Sequence, residues 1–178
     1  VAYKPQAVHL IPQQINGKVR DVLSKADQTG KFDEIVKTLE LNNLLDHEVE
    51  DLSGGELQRM AIAATLLRDA NFFFFDEPVS FLDITWRVKI AKLIRNLASE
   101  NIAVIVVEHD LTTLDYISDE MQILYGEAAV YGIVTQIKTV KRAINEYLDG
   151  FLPDDNIRFR KNKIVFNRGI VSHSKTPV

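Results

Sequence analysis

Short apolar runs alternate with amphipathic segments along the chain, the pattern of an α/β fold, and no internal repeat or low-complexity run interrupts it. Between Gly17 and Leu45 apolar residues recur at helical spacing (Val19, Val22, Leu23, then Ile35, Val36, Leu39) around the turn-like Asp27-Gln28-Thr29-Gly30, predicting two or three short helices. Ser53 with Glu56 makes a capping box, so a further helix begins after Ser53 and runs through Leu57 to Leu67. Phe72-Phe73-Phe74-Phe75, stopped by Asp76-Glu77-Pro78, reads as a strand buried on both faces. Asp83 can cap a long helix through Glu100, with Ile84, Val88, Ile90, Ala91 and Ile94 on its inner face. Ala103-Val104-Ile105-Val106-Val107 is a second buried parallel-type strand, closing on Glu108-His109-Asp110. Two shorter strands around Met121 to Tyr125 and Ala128 to Tyr131 read as an antiparallel pair with Gly126 near the turn, and a helix through Val140 to Leu148 ends at Gly150.

Composition narrows this picture. At 178 residues and 46% hydrophobic, the chain carries enough apolar material for one core. It contains no cysteine, so neither a disulfide framework nor a thiolate metal or iron-sulfur site can reside in these residues. No apolar run approaches the roughly 20 residues of a membrane span, and no signal-like segment opens the chain, which points to a cytoplasmic protein without a membrane partner. The net charge of -4 weighs against a whole-surface nucleic-acid binder but leaves room for a local basic patch. The opening at Val1 reads as the interior of a domain, and the chain as a fragment.

The candidate chemistry lies where the apolar runs stop. Ser53-Gly54-Gly55-Glu56 opens a predicted helix: two glycines let an anion approach the backbone, first-turn N–H groups point outward, and the helix dipole favours negative charge. Taken alone, Ser53 and Glu56 are equally a plain helix cap. Asp76 and Glu77 stand at the carboxyl end of an apolar strand, where Asp76 can hold a magnesium ion and Glu77 can polarise a water for attack on a γ-phosphate. Taken alone they are a solvated acidic turn. His109 ends the next strand and can hydrogen-bond a phosphate, although a lone histidine is more often an ordinary surface residue. In open α/β sheets ligands sit beyond the carboxyl ends of the strands, so the two polar clusters face one site.

These pieces, in this order, resemble the ATP-binding-cassette (ABC) ATPase family. Leu52-Ser53-Gly54-Gly55-Glu56-Leu57-Gln58-Arg59 is similar to its signature, Phe75-Asp76-Glu77-Pro78 to the end of Walker B, Ser80-Phe81-Leu82-Asp83 to the D-loop, His109 to the switch histidine and Gln6 to the Q-loop glutamine. The resemblance implies a P-loop NTPase-type ABC nucleotide-binding domain with a mostly parallel sheet and a helical signature subdomain. It implies ATP and Mg2+ as ligands: Glu77 and His109 as catalytic residues, Asp76 and Gln6 at the metal, and Gln6, Ser53, Gly54, Gly55, Glu56 and Asp83 at nucleotide. Two cassettes of this family sandwich two ATP molecules, so Ser53, Gly54 and Gly55 are expected to serve the nucleotide held by the second cassette. Asp83 would link the two sites, and is equally explained as a helix cap.

Neither Gly17-Lys18 nor Gly30-Lys31 fits the Gly-x-x-x-x-Gly-Lys-[Ser/Thr] phosphate loop. The expectation is therefore a cassette lacking its amino-terminal Walker A part, and a fragment that binds ATP weakly without turning it over. Lys4-Pro5-Gln6, Val107-Glu108-His109-Asp110-Leu111, Leu124-Tyr125-Gly126 and Asn145-Glu146-Tyr147-Leu148-Asp149-Gly150 further resemble the ribosome-recycling ATPases once called RNase L inhibitor, archaeal members above all. Val79 departs from the serine usual in that family. On this resemblance residues 1–150 are the carboxyl-terminal part of the first nucleotide-binding domain and 151–163 a hinge. Residues 164–178 open a second cassette or form a disordered tail. Arg158 and Arg160 would contact RNA or both cassettes, or belong to a solvated linker. The implied whole protein carries iron-sulfur clusters outside these residues and hydrolyses ATP to split ribosomes. Its partners would be the small ribosomal subunit and a release factor or Pelota-type factor. The ATPase subunit of a membrane transporter and a non-catalytic interaction fragment are the competing readings.

Overall fold

A computed structural model describes residues 1–127 and 129–165, which form two compact units, Val1–Ile117 and the chain from Ser118 onward. The first unit is built on a three-stranded parallel sheet in the order β1 (Ala2–Lys4), β2 (Phe72–Asp76), β3 (Ala103–Val107). Lys4 stands opposite Phe75, and Asp76 opposite Val107. Parallel neighbours need long crossovers, and helices supply them. Between β1 and β2 run α1 (Ile11–Gln14), α2 (Val19–Ala26), α3 (Phe32–Thr38) and α4 (Gly54–Leu66); α5 (Ile84–Leu97) joins β2 to β3, and α6 (Leu111–Ile117) follows.

The expectation that both apolar strands are buried on both faces is half correct. Side chains alternate across a strand, and only one set is covered: Phe73 and Phe75 are buried and stack at 6.3 Å, whereas Phe72 and Phe74 are part-exposed. On the open face Tyr3, paired in register with Phe74, is 54% exposed, and Ile105, paired on its other side, is 47% exposed. The covered face packs against α4, whose Leu57, Met60, Ile62 and Ala63 are buried.

Local signals set the helix starts. The Asp27 carboxylate accepts from the backbone N–H groups of Thr29, Gly30, Lys31 and Phe32, closing the turn between α2 and α3. Ser53 caps α4 with the reciprocal bonds of a capping box, Ser53 N donating to Glu56 Oε2 at 2.8 Å and Glu56 N donating to Ser53 Oγ at 3.4 Å. Asp83 caps α5, accepting from Trp86 N at 2.9 Å. α5 stops at Leu97 rather than Glu100, because Ser99 and Ile102 exchange backbone bonds in a tight turn. Its buried stripe is Ile90, Ala91 and Ile94, while Ile84 and Val88 face solvent. α6 has no counterpart in the elements expected from sequence; Asp110 starts it by accepting from Thr112 N at 2.9 Å, and Leu114 and Ile117 bury its inner side.

Among its described residues the second unit holds three antiparallel pairs: β4 (Glu120–Met121) with β7 (Lys138–Thr139), β5 (Leu124–Glu127) with β6 (Tyr131–Val134), and β8 (Phe151–Leu152) with β9 (Ile157–Arg158). Gly126 lies within β5, facing Gly132, and not at the turn. α7 (Val140–Asp149) ends at Gly150 in the left-handed conformation, φ 67°. Ile123, Ala143 and Leu152 form the small core. The segment expected as a hinge is the β8–β9 pair and its continuation, bonded back to the end of α7 through Phe159 N to Gly150 O at 3.1 Å. Of the segment 164–178 only residues 164 and 165 fall within the described range. Among the described residues no helix is long and apolar enough to cross a membrane.

Candidate functional site

The carboxyl ends of the three parallel strands converge on Glu77. β1 delivers Lys4 and, two residues on, Gln6; β2 delivers Asp76 and Glu77; β3 delivers Glu108 and His109. Gln6 Nε2 donates to Glu77 Oε1 at 2.7 Å, and His109 Nε2 lies 3.1 Å from the same oxygen. Ser80 Oγ donates to Glu77 Oε2 at 3.0 Å. The Glu77 side chain is 18% exposed and that of His109 81% exposed, so the carboxylate is largely covered while the imidazole stands in solvent. Of the residues expected from sequence, Gln6, Glu77 and His109 therefore meet, and Asp76 adjoins them, half-buried at the end of β2.

Behind the carboxylate the backbone of Glu77 is held as firmly. Its φ of 47° is left-handed, unusual for a residue with a side chain. Glu77 N donates to Val107 O at 2.9 Å; its carbonyl accepts from Lys4 Nζ at 3.1 Å and Gln58 Nε2 at 2.8 Å; and Lys4 Nζ also donates to Asp76 O at 2.7 Å. Burial pushes the Lys4 ammonium down to about 8, against the pull of the Asp76, Glu77 and Glu108 carboxylates. Glu108 accepts from the backbone of Val79, His109 and Asp110, tying the two strand-end loops together. Lys4, Gln58 and Glu108 were not among the expected site residues. For Lys4 the signal was present: it shares the inward face of β1 with Ala2, a position where an unpartnered lysine is rare.

Residues 53–56 form a second cluster, at the amino end of α4. Ser53 and Gly54 are exposed, and Ser53 also donates through Oγ to Glu56 Oε2 at 2.6 Å. The Ser53 hydroxyl bond, with the Ser53 backbone bond, holds the Glu56 carboxyl below its usual range. Gly55 has a packing reason of its own, since a Cβ there would stand 3.2 Å from Phe81 O, whereas one on Gly54 would meet the Phe81 ring at an ordinary 3.5 Å. Asp83 is occupied by the α5 cap. Arg158 and Arg160 lie in the second unit, where Arg158 stacks on Phe151 at 5.2 Å and Arg160 on Tyr147 at 5.2 Å while donating to Tyr147 O.

The ABC transporter family profile matches residues 1–80. This corrects the expectation of a cassette lacking its amino-terminal part. The match begins at the first residue, and that region is folded into the domain: β1 pairs with β2 and carries Lys4 and Gln6 to Glu77. Over 177 residues the chain is 51% identical to an uncharacterized ABC transporter ATP-binding protein of Methanocaldococcus jannaschii, covering 99% of this chain and 29% of that one. It matches, at a TM-score of 0.89 and 52% identity, a structure of an archaeal ribosome recycling factor in complex with an archaeal ribosomal stalk protein, covering 99% of this chain and 34% of that one. A model of ribosome-bound archaeal Pelota and recycling factor gives a TM-score of 0.88 at 57% identity, with 93% and 28% covered. The chain spans about a third or less of the length of each.

Proposed function

We propose that this chain, an ABC-type nucleotide-binding domain related to the archaeal ribosome-recycling and RNase L inhibitor family, is the hydrolytic part of a protein that uses ATP to split ribosomes into subunits. One observation carries the catalytic reading: a single carboxylate, Glu77, receives Gln6, His109 and Ser80 on its two oxygens at the carboxyl ends of parallel strands. Held this way, Glu77 orients and polarises the water that attacks the γ-phosphate of ATP. His109, exposed and already turned toward Glu77, contacts that phosphate and signals its presence. Gln6 bonds Glu77 through its N–H2 group, which leaves the amide oxygen for a hard cation.

Asp76 and Gln6 would hold a magnesium ion there, which would supply charge neutralisation on the phosphates. This oxygen donor set suits an ion that keeps several waters and shares its coordination with substrate phosphates. Ser53, Gly54, Gly55 and Glu56 present the amino end of α4 to the ATP held by a second cassette of the same protein, and Asp83 stands at the junction of the two sites. Residues 151–163, with Arg158 and Arg160, lead from this cassette toward the second. The iron-sulfur clusters of the whole protein lie outside these cysteine-free residues. The protein acts in the cytoplasm on the small ribosomal subunit, after a release factor or Pelota-type factor has bound.

The test is ATP-dependent subunit splitting by the intact protein. Glu77→Gln should retain MgATP binding and lose turnover by about 100-fold or more, the usual contribution of a positioned base. Splitting by wild type that proceeds equally well without ATP, or a Glu77→Gln variant that turns over at the wild-type rate, would overturn the proposal.

A further inference from the structure

Local sequence does not account for the conformation of Glu77. It precedes Pro78, a setting that favours extended backbone, yet its φ is 47°. What holds it comes from elsewhere in the fold. Lys4 and Gln58 are each 0% exposed, and both point donors at one carbonyl, Glu77 O, at 3.1 and 2.8 Å. Lys4 bridges on to Asp76 O at 2.7 Å, so both peptides of the carboxylate pair are clamped from the β1 side. Gln58 reaches the same carbonyl from a separate element, one turn along the helix whose amino end carries Ser53, Gly54 and Gly55. Burying an ammonium for two backbone carbonyls is costly, and bulk packing does not require it: the other inward residue of β1 is Ala2.

We propose that Lys4 and Gln58 are positioning residues of the hydrolytic site: they fix the Glu77 peptide, and thereby the aim of its carboxylate, and Gln58 ties that aim to the placement of the signature helix. This rests on the role assigned to Glu77 above. A rotation of the 76–77 peptide, which carries Asp76 O, or of the 77–78 peptide, which carries Glu77 O, turns the Glu77 side chain away from Gln6 and His109, and a misplacement of about 1 Å in a reacting group costs on the order of 100-fold in rate.

The test uses Lys4→Met and Gln58→Met, which keep side-chain volume and remove the donors, in the intact protein. Steady-state ATPase should show kcat falling about tenfold or more with KM for ATP moved by less than about twofold, the signature of an interaction needed only at the transition state. Amide hydrogen exchange in nucleotide-free protein supplies an independent readout: the Glu77 and Ser80 amides should exchange about tenfold faster while the amides of α4 stay protected. Unchanged kcat together with unchanged exchange in both variants overturns the proposal. So does a raised KM with kcat kept, which would make the residues part of substrate binding. Faster exchange spread evenly over sheet and helices, the mark of a structural role only, overturns it too. If Lys4→Met does not fold, Gln58→Met decides alone. A Glu77→Gln variant that is fully active removes the Glu77 reading itself, whereas an inactive Glu77→Gln beside fully active Lys4→Met and Gln58→Met removes only this inference.

Discussion

Asp83 offers a test in which stability and function separate. Its carboxylate accepts from Trp86 N at 2.9 Å at the start of a 14-residue helix, on an exposed surface. Asp83→Ala removes that acceptor and a negative charge at the positive end of the helix dipole. Cap losses of this kind cost about 1 kcal/mol, within roughly 0.5–2, and the dipole accounts for about 0.3–1 of it. Asp83→Asn keeps the acceptor and ranks with Asp as a cap, so it should lie within about 0.5 kcal/mol of the parent. Trp86 is the only tryptophan and sits against Arg59 and Lys89, each 4.5 Å from its ring, so its fluorescence reports this junction directly. In urea, with a slope of about 1–3 kcal/mol per molar, the Ala variant should shift the midpoint down by about 0.3–1 M and the Asn variant by a fraction of that. Equal losses in Ala and Asn, or no loss in Ala, would refute the cap. With the cap verified, an Asn variant of parental stability but impaired turnover isolates a role of the carboxylate beyond the cap.

Three further outcomes follow from the geometry. Glu56 is depressed by its bonds to Ser53, so it stabilises the fold above the unfolded glutamate range and that contribution is lost as pH falls below about 4.3; urea midpoints of Glu56→Gln should trail the parent at pH 7 and converge with it in acid. Gly150→Ala forces a side chain into the left-handed region at φ 67° with its Cβ 2.8 Å from Arg160 Cβ, and should cost about 1–3 kcal/mol in thermal unfolding followed by circular dichroism. Arg59 NH1 donates to Leu39 O at 2.8 Å and to Glu40 O at 3.1 Å while its guanidinium stacks on Trp86; Arg59→Met should cost about 1–2 kcal/mol and change Trp86 emission, and an unchanged spectrum would argue against the stack.

What the sequence could announce is what depends on neighbours a few positions away. The capping box at Ser53 and Glu56, the cap at Asp83 and the left-handed stop at Gly150 are decided by bonds within a turn, and each stands where the residue types place it. The apolar runs of β2 and β3 likewise declare strands, though not which face is covered, because coverage is settled by other elements: Phe73 and Phe75 join the buried cluster that includes Leu57, Met60 and Ile62 of α4, and Phe74 is left with Tyr3 and Ile105 on the open side. Helix length is the exception at α5, where the Ser99–Ile102 turn outcompetes the last helical turn and ends the helix at Leu97. The motif residues Gln6, Glu77 and His109 were legible because their spacing matches a known pattern, but their convergence is a matter of register: Lys4 opposite Phe75 and Asp76 opposite Val107 bring three strand ends level. The same register decides what sequence left silent. Lys4 and Glu77 are 73 positions apart and Gln58 and Glu77 are 19 apart, so no local rule joins them. Sequence alone determined the helix caps, the presence of the strands and the place of the Asp76-Glu77 carboxylates at the end of β2. Only the tertiary structure decided how that carboxylate is aimed, since two buried donors from separate elements reach its carbonyl only after the sheet and α4 have packed.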